Sequence, residues 1–143
     1  MDEQRHDLGA MFVRLGQVMI NAELPVLEAH DVEMWDYVIL IALRDGPAQS
    51  QSRLAAATRR DKTRLIPILD RLEGQGLLRR EPDPADRRNR IVDLTEPGRA
   101  LVADCQGAIR RMEHELLAEL PEADRVSFIT QLERVSALLR VWG

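Results

Sequence analysis

The chain has 143 residues, 45% of them apolar and 3% aromatic, which suits one compact domain with helical extensions. No run of about 18 apolar residues occurs, so no membrane span is expected, and the polar opening MDEQRHD argues against an ordinary signal peptide. A net charge of −4 looks wrong for a nucleic-acid partner, and the single cysteine, Cys105, excludes an internal disulfide framework and fits a reducing cytoplasm.

In chain order, Leu8, Met11, Phe12, Leu15, Val18, Met19 and Ala22 recur in steps of three and four, the spacing of an amphipathic helix over residues 4–23. Pro25 is expected to kink or divide it. Asp31 reads as the N-cap of a second helix whose apolar face is Met34, Trp35, Val38, Ile39, Ala42 and Leu43. Gly46-Pro47 stops that helix. A short helix follows, with Ser50 as N-cap and Leu54, Ala55 and Ala56 after it. A break at Arg59-Arg60 precedes another helix, with Leu65, Ile68, Leu69 and Leu72 turned inward and Gly74 and Gly76 ending it.

Residues 77–95 read as a hairpin. Leu77-Leu78 precede the turn-forming Pro82, Asp83, Pro84 and Asn89, and the β-formers Ile91, Val92 and Leu94 follow. Arg87, Arg88 and Arg90 stand at its tip. Taken alone, they make either a solvated charged loop or a site for an anionic partner. Glu96-Pro97 opens a long helix with a stripe of Leu101, Cys105, Ile109, Met112, Leu116 and Leu120. Pro121 begins a last helix striped by Val126, Ile129, Leu132, Val135 and Leu139.

The fold expected is mostly α with a small β-hairpin wing: a winged helix-turn-helix flanked by long N- and C-terminal helices. The terminal stripes exceed what so small a centre can cover, and pairing with a second copy would bury them. The charge is also uneven. Residues 59–90 hold ten basic and six acidic side chains, a local +4, leaving −8 for the rest. One working surface and a different job for the termini would explain that asymmetry. In a helix-turn-helix the second helix presents its first turn to base edges, which selects Lys62, Thr63 and Arg64. Ser50 and Ser52 could donate to phosphates from the preceding helix, although capping explains Ser50 equally well.

The element order, SQSRLAA at 50–56, LDRLEGQGLL at 69–78 and above all DRRNRIVDLT at 86–95 resemble the MarR family of bacterial transcription regulators. The resemblance covers nearly the whole chain. It implies a cytoplasmic homodimer that binds a palindromic operator in double-stranded DNA and represses. Residues 1–30 and 97–143 would form the dimer, and residues 32–96 would bind DNA. By position, Arg88 would enter the minor groove, whose narrow A·T-rich stretches focus negative potential. Asp86 would orient it by a salt bridge across the tip, and Arg87 and Arg90 would make backbone contacts or auxiliary groove contacts.

One departure concerns the recognition helix, where Ile66 and Pro67 stand in place of a polar Thr-Arg pair common in the family. Proline lacks an N–H and crowds the Thr63 carbonyl, so a loosened or kinked helix is expected. The resemblance also implies a small-molecule effector between the two lobes, with Phe12, His30, Trp35 and Tyr37 as candidate lining; each reads first as an ordinary core or boundary residue. Cys105, in an apolar stripe, reads as a buried inert thiol. His6, His30 and His114 lack metal-ligand spacing. Neither a nucleophile–base motif nor a phosphate loop is present, so no enzyme and no cofactor are expected. The competing reading is a dimeric winged-helix module that binds protein rather than DNA, which Pro67 and the acidic total keep open.

Overall fold

The computed structural model describes residues 4–142. Among them, six α-helices and a two-stranded antiparallel hairpin follow the expected order: α1 (Leu8–Glu28), α2 (Met34–Ala42), α3 (Gln51–Ala57), α4 (Lys62–Gly74), β1 (Leu78–Asp83), β2 (Asp86–Leu94), α5 (Glu96–Leu116) and α6 (Glu122–Leu138). A short 3-10 turn, Leu139–Trp142, closes the chain. Two compact units are present, Met1–Ile109 and Arg110–Gly143, the division falling inside α5.

The first unit is built around Ile39 and Leu40 of α2 and its C-cap Leu43, Leu54 of α3, Leu65, Leu69 and Leu72 of α4, and Leu78, Val92 and Leu94 of the hairpin. All of these are essentially sealed from solvent. Local signals set the boundaries of its helices. Ser50 Oγ accepts the Arg53 N–H at 3.0 Å, and Asp61 Oδ1 accepts the Arg64 N–H at 3.0 Å, so both helix starts have side-chain caps. Arg59 takes a left-handed φ of 54°, which turns the chain sharply between α3 and α4. Gly76, at φ 76°, ends α4: its N–H bonds the Glu73 carbonyl while the Leu77 N–H reaches Leu72. That double bond is the Schellman arrangement, and the positive φ is what calls for glycine.

Several expectations needed correction. α2 is capped by Glu33, not Asp31, because Glu33 and Asp36 satisfy each other's backbone N–H groups as a capping box. Asp31 instead occupies a left-handed turn, φ 57°. Pro25 neither ends nor divides α1, which runs on to Glu28, and Pro67 leaves α4 an unbroken helix. In both cases the proline and the residue four before it (Asn21, Thr63) are exposed, so water can serve the carbonyl that loses its partner. Leu120 lies beyond the end of α5, and Leu139 caps α6 rather than lying within it. α1 is long and apolar enough, averaged over its length, to cross a membrane, although Arg14 and Glu23 interrupt it.

The wing is fixed at its base and its edge. Ala48 and Val92 exchange both backbone hydrogen bonds, at 2.8 and 3.0 Å, adding a third rung beside β2. Arg80 of β1, with a side chain only 16% exposed, gathers the rest: Asp70 at 2.6 Å and Glu73 at 2.8 Å on α4, and Gln51 at 3.2 Å on α3. Arg71 of α4 likewise donates to the buried Asp36 carboxylate of α2. At the far end of β2, Thr95 Oγ1 accepts the Gly98 N–H at 3.1 Å and donates to the Gly76 carbonyl at 2.6 Å, joining the end of α4 to the start of α5.

α6 presents no buried residue, and of α1 only Leu27 is buried. Leu8, Phe12, Leu15 and Val18 on α1, and Val126, Ile129, Leu132 and Val135 on α6, all face solvent. The expected stripes exist, but these parts of them are not covered within one chain.

A Cβ added at Gly98 would lie 1.9 Å from the Leu77 carbonyl oxygen, so Gly98→Ala must displace backbone. A loss of about 1–3 kcal/mol is expected, read from the urea midpoint; an unchanged midpoint would contradict that packing. The Arg80 side chain, bonding Glu73, holds its carboxyl below the usual range despite partial burial. With the folded value depressed, this stabilisation is complete above the unfolded value, about 4.3, and fades as pH falls through the folded one. Acid unfolding should therefore be shallower in Glu73→Gln than in the native protein between about pH 5 and 3.

Candidate nucleic-acid interface

The first turn of α4 carries Lys62, Thr63 and Arg64, all exposed. Arg64 is 3.5 Å from its own cap, Asp61, which keeps the guanidinium close to the helix start. Lys62 has no ion pair among the described residues. Ser52 is exposed in the first turn of α3, whereas the Ser50 oxygen is engaged as a cap and keeps its O–H free to donate to a phosphate.

On the wing, Arg88 extends away from the fold with its side chain 98% exposed. Asp86 meets it twice: Oδ1 accepts the Arg88 backbone N–H at 3.1 Å and lies 4.0 Å from Nε. The side-chain contact is long, so Asp86 shapes the backbone more firmly than it fixes the guanidinium. Arg87 and Arg90 are exposed and form no ion pair among the described residues.

Eight of the ten basic residues of 59–90 therefore fall into two groups that composition cannot separate; of the other two, Arg59 is exposed in the turn before α4 and Arg60 lies over the Trp35 ring. Arg71 and Arg80 bind acids on neighbouring elements, and Arg79 lies 3.4 Å from Asp93 across the hairpin. These are structural. Lys62, Arg64, Arg87, Arg88 and Arg90 project outward with local partners or none. The sequence reading passed over Arg80, Asp70, Glu73 and Gln51, which hold α3, α4 and β1 together. It also passed over Gln49, whose carbonyl accepts from Asn89 at the wing tip and so brings the wing next to Ser50.

Among the effector candidates, Phe12 stands apart from the other three within one chain. Phe12 lies sixteen residues before the end of α1, about 24 Å along the helix from the corner that holds His30. His30 bonds the Val26 carbonyl at 2.9 Å through Nδ1. Trp35 supports the Arg60 guanidinium, centred 3.9 Å above its ring. Tyr37 is half-buried in α2. A cleft of about 140 Å³ in the second unit is lined by Arg110, Glu113, His114, Leu117, Arg125 and Ile129, none of them among the four. Cys105 is fully buried, and burial pushes its thiol up, away from the reactive thiolate.

The MarR family model matches residues 32–89. The chain is 35% identical over 99 residues to the HTH-type transcriptional repressor NicR of Pseudomonas putida, covering 69% of this chain and 63% of that protein. The match thus spans a little under two thirds of NicR's length. It is 32% identical over 108 residues to the transcriptional regulator HosA of Escherichia coli, covering 76% of this chain and 80% of that one. The fold superposes on the transcriptional repressor CouR bound to a 23-mer DNA duplex, with a TM-score of 0.76, 26% identity and 91% and 92% of the two chains covered. CouR from Rhodococcus jostii RHA1 has also been solved bound to p-coumaroyl-CoA. With the same helices, the same wing and these relatives, the chain belongs to the MarR family.

Proposed function

We propose that this chain is a DNA-binding transcription regulator that works as a homodimer in the cytoplasm and represses its target. The observation that carries this reading is the division of the cations. Within residues 59–90, those without a partner on another element lie on the first turn of α4, in the turn just before it (Arg59) and on the wing, and the Arg80 network joins α4 to the wing. Lys62, Thr63 and Arg64 meet the major groove, with Ser50 and Ser52 donating to phosphate. Arg88, shaped by Asp86, enters the minor groove, and Arg87 and Arg90 contact the backbone. Pro67 is exposed on α4 and adds no donor, so base reading concentrates in the turn before it.

Residues 32–96 form the DNA-binding part in this reading, and residues 1–30 and 97–143 the dimer. The exposed apolar residues of α1 and α6 supply the dimer's contact surface, and Phe12 belongs to that surface. NicR is named a repressor, which favours repression here. A small-molecule effector is consistent with the ligand-bound form of CouR, and His30, Trp35 and Tyr37 at the α1–α2 corner are its candidate contacts.

The native protein should bind the DNA upstream of its own gene, and should lose affinity steeply with salt. A dimer neutralising about six to ten phosphates loses roughly a thousandfold or more between 50 and 200 mM. Binding that is absent or indifferent to salt would favour a protein-interaction module instead. Arg88→Ala should weaken operator binding about tenfold or more, the cost of one well-placed groove contact. The dimer, measured by sedimentation, should be unchanged. Normal operator affinity in that variant would remove Arg88 from the interface.

A further inference from the structure

The hairpin does not pair evenly up to its tip. Pro82 faces Arg90 and Asp83 faces Asp86, so Arg87, Arg88 and Asn89 have no ladder partner opposite them. Pro82 offers no N–H to β2, and the register shifts at this point. Three unpaired residues at the end of a two-stranded ribbon have few bonds to restrain them, which is the usual recipe for local opening.

Here the bulge is tied down on its inner side. Asn89 is half-buried, whereas Arg87 and Arg88 just before it are exposed. Its amide nitrogen donates to the Gln49 carbonyl at 2.5 Å and to Asp83 Oδ2 at 3.2 Å. Both amide hydrogens are thereby used. Asp83 is itself fixed, since Oδ1 accepts the Ala85 N–H at 2.9 Å across the turn. Those two bonds, Ala85 first and then Asn89, hold the Asp83 carboxyl below its usual range. Gln49 stands next to the cap of α3, and Ala48 pairs with Val92, so the anchor point belongs to the core side of the wing.

We propose that Asn89 is a positioning residue for the wing: its amide clamps the bulge to the Gln49 carbonyl and to Asp83, and so sets where Arg87 and Arg88 project. The proposal rests on the DNA-binding reading and adds to it a residue that touches no DNA. The chemistry calls for a primary amide, because both neighbours are acceptors and one is charged. An aspartate at 89 has the same shape but would set two carboxylates and a carbonyl against each other. Pre-ordering the arginines lowers the conformational entropy lost on binding, so the clamp should act through affinity for DNA rather than through the fold.

The test uses the full-length protein and its upstream DNA, with Asn89→Ala, Arg88→Ala and the double variant. Asn89→Ala should lower affinity about fivefold while the thermal midpoint and the dimer stay unchanged. In the double variant the loss should exceed that of Arg88→Ala by less than about twofold, because the clamp works largely through the arginine. Backbone amide exchange at residues 87–89 should quicken in Asn89→Ala, and Asn89→Asp should bind more weakly than Asn89→Ala. Independent, multiplying losses in the double variant, or unchanged exchange at the bulge, would overturn the clamp while leaving the DNA-binding reading intact. Failure of the native protein to bind DNA at any salt would overturn both.

Discussion

The architecture of the working surface depends on one guanidinium. Arg80 lies among two carboxylates and an amide drawn from α3 and α4, and its own strand is β1. A two-stranded ribbon is marginal by itself in water. What makes this one a fixed part of the molecule is that its base is fastened to the helix-turn-helix by an ion network centred on a mostly buried guanidinium, its acidic partners reaching solvent. Such a network contributes little net stability when intact, yet loss of one member leaves a desolvated charge unpaired. The consequence is geometric: α4 and the wing hold a single relative orientation, so their outward cations present one pattern of charge.

That network also resolves the apparent contradiction of an acidic chain with a basic task. Much of the charge in residues 59–90 is cancelled internally. Arg71, Arg79 and Arg80 are matched to Asp36, Asp93, Asp70 and Glu73, and Arg79 also lies 3.6 Å from Glu81. Within residues 59–90, what remains outside is a short set of cations around the start of α4, Arg59 in the preceding turn included, and on the wing. Net charge averaged over the chain has no bearing on that set, because screening confines each exposed charge to a range of about 8–10 Å.

The order of elements was legible because it rests on local chemistry. Apolar periodicity, Ser50 before a helix, and glycines after α4 each act over a few residues, and the structure follows them. Cap type alone misleads at α2: Asp31 is the residue type favoured at a helix start, whereas the reciprocal bonds between Glu33 and Asp36 set the start two residues later. Pro25 and Pro67 were judged as interior prolines without knowing which way they face, and exposure decides that. Among the site residues, the wing's Asp86 and Arg88 were found by pattern. Arg80 could not be distinguished from Arg87 in the sequence, since its partners lie up to 29 residues away. Asn89 read as a turn former, its anchor 40 residues earlier being invisible to any local rule.

The bareness of α6 bears on how this protein responds to its own abundance. Helices of this length are marginal in water without a packed face, and α6 buries no residue of its own. Whatever covers its apolar stripe contributes directly to the folding equilibrium, so that occupancy and helical order rise and fall together. If the cover is a second copy, dilution melts part of the structure instead of separating two finished halves. The amount of protein in a cell would then set the folded fraction of its C-terminal end as well as how much of it is paired.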